Sequence, residues 1–126
     1  MPWPSGTVLP HGRDAVIVLN LLDIIPGKEK DYAKYLRLVQ PILDRHRARV
    51  LLYGLTRMIY KGETAQEYCG IIEYPSMRNL KQFSHDPDFE AIRPLRDDST
   101  KNYLLTAIQD FPTMDDAAEF LENGSK

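Results

Sequence analysis

With one cysteine, Cys69, the chain has no means of forming an internal disulfide, and no Cys/His spacing suggests structural zinc. It also lacks any surplus of positive charge. Sixteen Lys+Arg stand against eighteen Asp+Glu in 126 residues, a net charge of -2. Such a balance gives no broad field for phosphate backbones, so nucleic acid is not an expected partner. The longest apolar run, Ala15 to Leu22, is interrupted by Asn20 and is far too short to span a bilayer, so no membrane is expected either. The opening MPWPSGTVLPHGRD has no basic start followed by an apolar stretch, and a cytoplasmic location is the expectation. Glycine-rich phosphate loops, Ser-centred elbows and metal-spaced clusters are missing, so neither a cofactor nor a metal is expected.

What is present is an alternation of strand and helix patterns in a length that suits one domain. Residues 1–14 carry three prolines and two glycines and read as an extended arm, in which Trp3 and Val8 are candidates to dock on a neighbour. Ala15 to Asp23 is a strand closed by the Pro26-Gly27 turn. From Lys28 the period becomes helical through Tyr32, Tyr35, Leu36, Val39 and Leu43, with a kink expected before Pro41. Arg49 to Tyr60 and Gln66 to Tyr74 form a hairpin around KGETA. Ser76 caps a helix with Met77, Leu80 and Phe83 on one side, and Asp86-Pro87 starts another with Phe89, Ile92 and Leu95. Thr100 to Phe111 is the last strand, and residues 112–126 hold a tail helix that begins near Thr113.

The order β-α-β-β-α-β is the ferredoxin-like α+β arrangement: a four-stranded antiparallel sheet, expected in the order 4-1-3-2, with helices on one face. The domain proper runs over residues 15–111. Val18, Leu36, Val39, Leu52, Ile72, Leu80, Phe83 and Phe89 are the expected core. Both sides of the strands are apolar: Ile17, Leu19 and Leu21 alternate with Val16, Val18 and Leu22 in the first. Two helices cover one face only. A second copy of the chain, making a homodimer, is the expected cover of the other, with the arm and tail helix as the alternative.

The stretch IIEYPSMRNLKQFSHDPDFEAIRPLR, Ile71 to Arg96, is the most distinctive. Its Glu73-Tyr74-Pro75-Ser76 turn, Phe83, Pro87, Phe89 and Arg96, together with the PGKEKDYAKYL helix start, resemble an uncharacterised bacterial domain-of-unknown-function family. That family belongs to the dimeric α+β barrel superfamily, and the resemblance covers about residues 15–111. It implies a barrel of two facing sheets and a pocket between sheet and helices for a small apolar or anionic molecule. Relatives in the superfamily include cofactor-free monooxygenases, haem-degrading enzymes, muconolactone-isomerase-like proteins and polyketide cyclases. Fold alone does not choose among these chemistries.

Several residues are candidates for such a site. Glu73 ends an otherwise apolar strand, as a general base or polar anchor, or else in a structural ion pair. If the hairpin pairs residues with even sums, Tyr53, Leu55, Arg57 and Glu73 share one face. Arg96 suits an anionic group, or pairs with Asp97, Asp98 or Glu73, and is expected to share a cavity with Glu73. Tyr53, Asn20 and Arg57 would supply polar contacts. His85 is a candidate acid-base group. Haem-degrading relatives pair a second-helix His with a strand Asn and a Trp, but no Trp follows Trp3, so that pattern is incomplete. The function expected is small-molecule binding, extending to cofactor-independent proton transfer or oxygenation. A non-catalytic binding or structural module is the alternative.

Overall fold

Period-two apolar patterning and turn residues divide the chain into β1 (Val16–Ile24), α1 (Glu29–Arg45), β2 (Arg49–Leu55), β3 (Tyr68–Tyr74), α2 (Met77–Ser84), α3 (Pro87–Ser99), β4 (Thr100–Ile108) and α4 (Met114–Glu122). This computed structural model describes residues 14–123, so the arm with Trp3 and Val8 lies outside the described residues except for Asp14. The strands form one antiparallel sheet in the order β2-β3-β1-β4, the expected ferredoxin-like topology.

β1 is central, and its inward row Val16, Val18, Asn20 and Leu22 is buried. Residues opposite one another on paired strands share a face. Val18 pairs with Ile72 and Ala107, and Asn20 with Gly70 and Leu105, which extends the helix-side face across the sheet. The other face carries Ile17, Leu19, Leu21, Ile71, Glu73, Leu104 and Ile108.

Two expectations fail at one place. The β2–β3 register shifts between Val50 and Leu52, so the pairing sum changes along the hairpin. Before the shift Arg49 faces Glu73; after it Leu52 faces Ile71 and Tyr53 faces Gly70. Leu52 therefore points away from the helices and is 52% exposed, not part of the core. The strand also ends at Leu55, five residues earlier than expected, and Arg57 falls in the exposed loop beyond it.

The helices are joined by polar contacts at their ends. Ser76 accepts the Asn79 amide and Asp86 accepts the Asp88 amide, so each cap is made by the expected residue. The end of α1 is fastened to the break between α2 and α3. His46 Nε2 and Arg45 Nη2 lie 2.6 and 2.9 Å from Asp86 Oδ2, and Asn79 Nδ2 donates to the His46 carbonyl at 3.2 Å. The His46 contact, helped by the Asp88 amide and Arg45, holds the Asp86 carboxyl below its ordinary pKa. α1 continues through Pro41 as one helix. The C-terminal α4 has no buried residue, although Phe120 packs edge-on against Phe111 at 5.2 Å.

At the break, Phe83 lies 4.3 Å from Phe89 and 5.7 Å from Tyr74, ring centre to ring centre. These rings tie α2 and α3 to β3. Phe83→Ala should cost about 3–5 kcal/mol, measured as a lower denaturant midpoint at unchanged slope. A loss below about 1 kcal/mol would show that the aromatic cluster does not hold the layers together.

Candidate functional site

The helix layer does not fill the space above the sheet. Between them lies a cavity of about 540 Å3, walled mainly by apolar side chains such as Val18, Leu36, Val39, Ile72 and Phe83. Polar groups enter it from both layers.

From the sheet come Asn20, Tyr53, Tyr74 and Tyr103, and from α1 come Tyr32 and Tyr35. The Tyr103 hydroxyl donates to Asn20 Oδ1 at 2.7 Å, while Asn20 Nδ2 reaches the Gly70 carbonyl at 3.5 Å. Buried amides need such partners. Tyr32 and Tyr53 meet hydroxyl to hydroxyl, bridging α1 to the edge strand. Gly70 makes room for that bridge: a Cβ there would sit 3.0 Å from the Tyr53 ring.

Arg96 enters from α3 and has a side chain only 16% exposed. Its guanidinium carbon lies 5.1 Å from the Tyr103 ring centre and 5.6 Å from that of Phe89, within cation–π range. Its Nε donates to Asp97 Oδ1 at 3.0 Å, on the solvent side.

Burial pushes the tyrosines up. Tyr53 reaches about 12, although its bond to Tyr32 opposes the shift. Tyr35 also reaches about 12, against the opposing charge of Arg96. Tyr32, Tyr74 and Tyr103 rise as well, chiefly through burial. All five hydroxyls keep their protons at neutral pH and can donate hydrogen bonds. Arg93, at the exposed rim, and Arg96 are the charged lining residues; no Asp, Glu or His lines the cavity among the described residues.

The structure thus brings together Asn20, Tyr53 and Arg96 and leaves the other candidates elsewhere. Glu73 is on the opposite face, opposite Ile17 and Arg49, and its Oε1 accepts from Arg49 Nε at 2.8 Å. It does not share the cavity with Arg96, because one residue of alternation separates it from Tyr74, which does. His85 is exposed at the C-cap of α2 and Arg57 is exposed in the hairpin loop, so neither reaches the cavity. His85 and Asn20 therefore do not form a haem-type pair. Among the described residues, no group of three His, Cys, Asp or Glu side chains is placed to hold a metal. No helix among them is long and apolar enough to cross a membrane.

Sequence reasoning missed Tyr32, Tyr35, Tyr74 and Tyr103. The first two were visible as part of the helical apolar stripe. The last two sit in the strand rows that face the helices, so the alternation already carried the signal.

Comparison with known proteins places this geometry. A model of the domain of unknown function DUF1330 matches residues 21–108. The chain belongs to the DUF1330 family. No curated protein matches it. Among solved structures, a protein of unknown function from Rhodopseudomonas palustris is 20% identical, with 81% of this chain and 86% of that one covered and a TM-score of 0.72. A dimeric ferredoxin-like protein of unknown function from Jannaschia sp. CCS1 is 11% identical, covering 76% and 99%, with a TM-score of 0.64. SnoaB from Streptomyces nogalater, described as a cofactor-independent oxygenase, is 13% identical, covering 81% and 98%, with a TM-score of 0.60. At these identities the likeness concerns the fold of the DUF1330 domain alone.

The Tyr53 ring is tethered at its hydroxyl, so it cannot simply swing aside for a new methyl group at Gly70. Gly70→Ala should cost about 1–3 kcal/mol, and the cost should shrink in a Tyr53→Phe background, where the tether is gone. Equal costs in both backgrounds, read from thermal melts as a double-mutant cycle, would disprove the tether.

Proposed function

We propose that this DUF1330 domain binds a small, largely apolar molecule bearing an acidic oxygen, in the cavity between sheet and helices. The observation that carries this reading is the Arg96 guanidinium, set among aromatic rings in an apolar cavity that no acid lines among the described residues. Arg96 takes the anionic oxygen, and the second amide hydrogen of Asn20 and the remaining proton of the Tyr32–Tyr53 pair meet further oxygens of the ligand. A ligand held as an electron-rich anion is the reactant that cofactor-independent oxygenation requires, and SnoaB carries that description on the same fold. A non-catalytic binding module uses the same pocket and is favoured by the lack of a general base among its lining residues. Glu73 and His85 have no catalytic part in either reading, nor Arg57 a binding one.

The working protein is a homodimer, with residues 15–111 as its body, the N-terminal arm and tail helix as additions, and a cytoplasmic site of action. Leu19, Leu21, Ile71 and Ile108 are half-buried on an apolar face opposite the cavity, and Leu52 and Leu104 on it are 52% and 43% exposed. The Jannaschia neighbour is described as dimeric. A second copy laid sheet to sheet would hide this face and bury at least about 1,000 Å2.

Two measurements test these statements. Aromatic acids and phenols should raise the melting temperature of the wild type, and Arg96→Gln should lose at least about tenfold in affinity, as expected for a charge-assisted bond. A panel that binds neither form ends the pocket reading. Light scattering at micromolar concentration should give twice the 14.5 kDa chain mass. A monomer mass ends the dimer reading.

A further inference from the structure

We infer that the cavity takes weakly acidic phenols or enols as their anions and makes them more acidic on binding, with no protein group accepting the proton. This rests on the pocket reading and adds the chemical class of the ligand and the fate of its proton. In the binding step the ligand O–H bond breaks, the proton goes to water, and the oxygen anion stays beside Arg96; no oxidant or reductant takes part.

Three features of the site point to a delocalised oxyanion. The first is the supply of charge. Arg96 is the inner cation, and its Nε is already given to Asp97, so its side-on fork is taken and only the two terminal nitrogens are left to face a ligand. The second is the supply of donors. Tyr35 from α1 faces Arg96 and Tyr74 lines the same space, both as neutral hydroxyls, and the Tyr32–Tyr53 pair keeps one proton beyond its own bond, while Tyr103 gives its proton to Asn20. The third is the wall. An apolar cavity dehydrates a localised carboxylate at high cost, whereas an anion spread over an aromatic or conjugated frame loses less on leaving water.

The same inventory locates the proton. Of the charged groups near the guanidinium, Asp97 is beside it on the half-exposed side and Arg93 is at the rim. Neither Asp nor Glu nor His lines the cavity among the described residues, and Glu73 is across the sheet. No lining group accepts a proton around neutral pH, since the guanidinium is already protonated and the tyrosines hold theirs. The acidity of the bound ligand therefore follows the fixed charge of Arg96.

A chromogenic phenol reads this directly. The full chain is titrated with 4-nitrophenol across pH, and the anion's absorbance gives the acidity of the bound probe. 4-Nitroanisole serves as the non-ionisable control and 4-nitrobenzoate as the carboxylate. Bound 4-nitrophenol should be at least about tenfold more acidic than free, one pKa unit or more. Arg96→Gln should erase that gain yet still bind 4-nitroanisole. Asp97→Asn, at a half-exposed position, should enlarge it by removing the counter-charge, and so serves as the test even if the Gln variant does not fold. 4-Nitrobenzoate should bind more weakly than the phenol. An unchanged or lowered acidity on binding, an Asp97→Asn gain no larger than wild type, or tighter binding of 4-nitrobenzoate overturns the inference while leaving the pocket intact. Failure of all three probes to bind overturns the pocket reading with it.

Discussion

Val18 and Asn20 point toward the helices while Ile17, Leu19 and Leu21 point away, and hydrogen-bonded neighbours carry that alternation across the sheet. A slip of one residue would exchange the two faces entirely. Asn20 is the polar member of the inward row, on the central strand, where water cannot reach it freely. Its side-chain oxygen is satisfied by Tyr103 from β4, and the Tyr103 ring in turn flanks Arg96. One inward amide thus fixes where a tyrosine must stand, and that tyrosine provides the aromatic face for the cation. The cavity's polar side is a consequence of satisfying Asn20.

What keeps the space open is the way the helices are anchored. Arg45 and His46 hold the Asp86 cap, and Asn79 holds the His46 carbonyl, so the end of α1 is fastened to the α2–α3 break. The tilted, closely packed rings of Phe83 and Phe89 fill the region under that break. Toward the start of α1, the layers are bridged instead by two long tyrosines joined at their tips. Rings that reach across a gap prop it open, where aliphatic side chains would let it collapse. Gly70, by leaving its side of the sheet bare, gives the Tyr53 ring its bed.

Much of this was legible in the sequence. Capping residues Ser76 and Asp86, the turn at Pro26-Gly27, and the alternation of apolar rows lead to the element order and strand order, because each acts within a few residues of chain. Asn20 and Tyr53, expected as polar contacts, and Arg96, expected to suit an anionic group, come together at one cavity. The bulge between Val50 and Leu52 was not legible, since no Gly or Pro marks it, and Gly54, the glycine of that strand, pairs regularly with Cys69. From that one displacement follow the exposed Leu52 and the turn of Tyr53 toward the helices, away from the face that Glu73 shares with Arg49. The tyrosines of α1 escaped notice for a different reason. Helical periodicity tells which residues face inward, and it is silent on whether the inside is filled.

The placement of acids then decides what the interior can do. A carboxylate among the lining residues would pair with Arg96 in a medium of low dielectric and occupy the position a ligand needs. Glu73 is one residue from such a place, yet alternation turns it outward to Arg49, where its side chain is 8% exposed. The acid that does meet Arg96, Asp97, approaches from the half-exposed side and offsets the charge without entering the cavity. The sheet therefore works as a partition: an ion pair on one face, and on the other a single inner cation among neutral donors. In the function proposed above, any chemistry inside begins with an acid that the ligand itself brings.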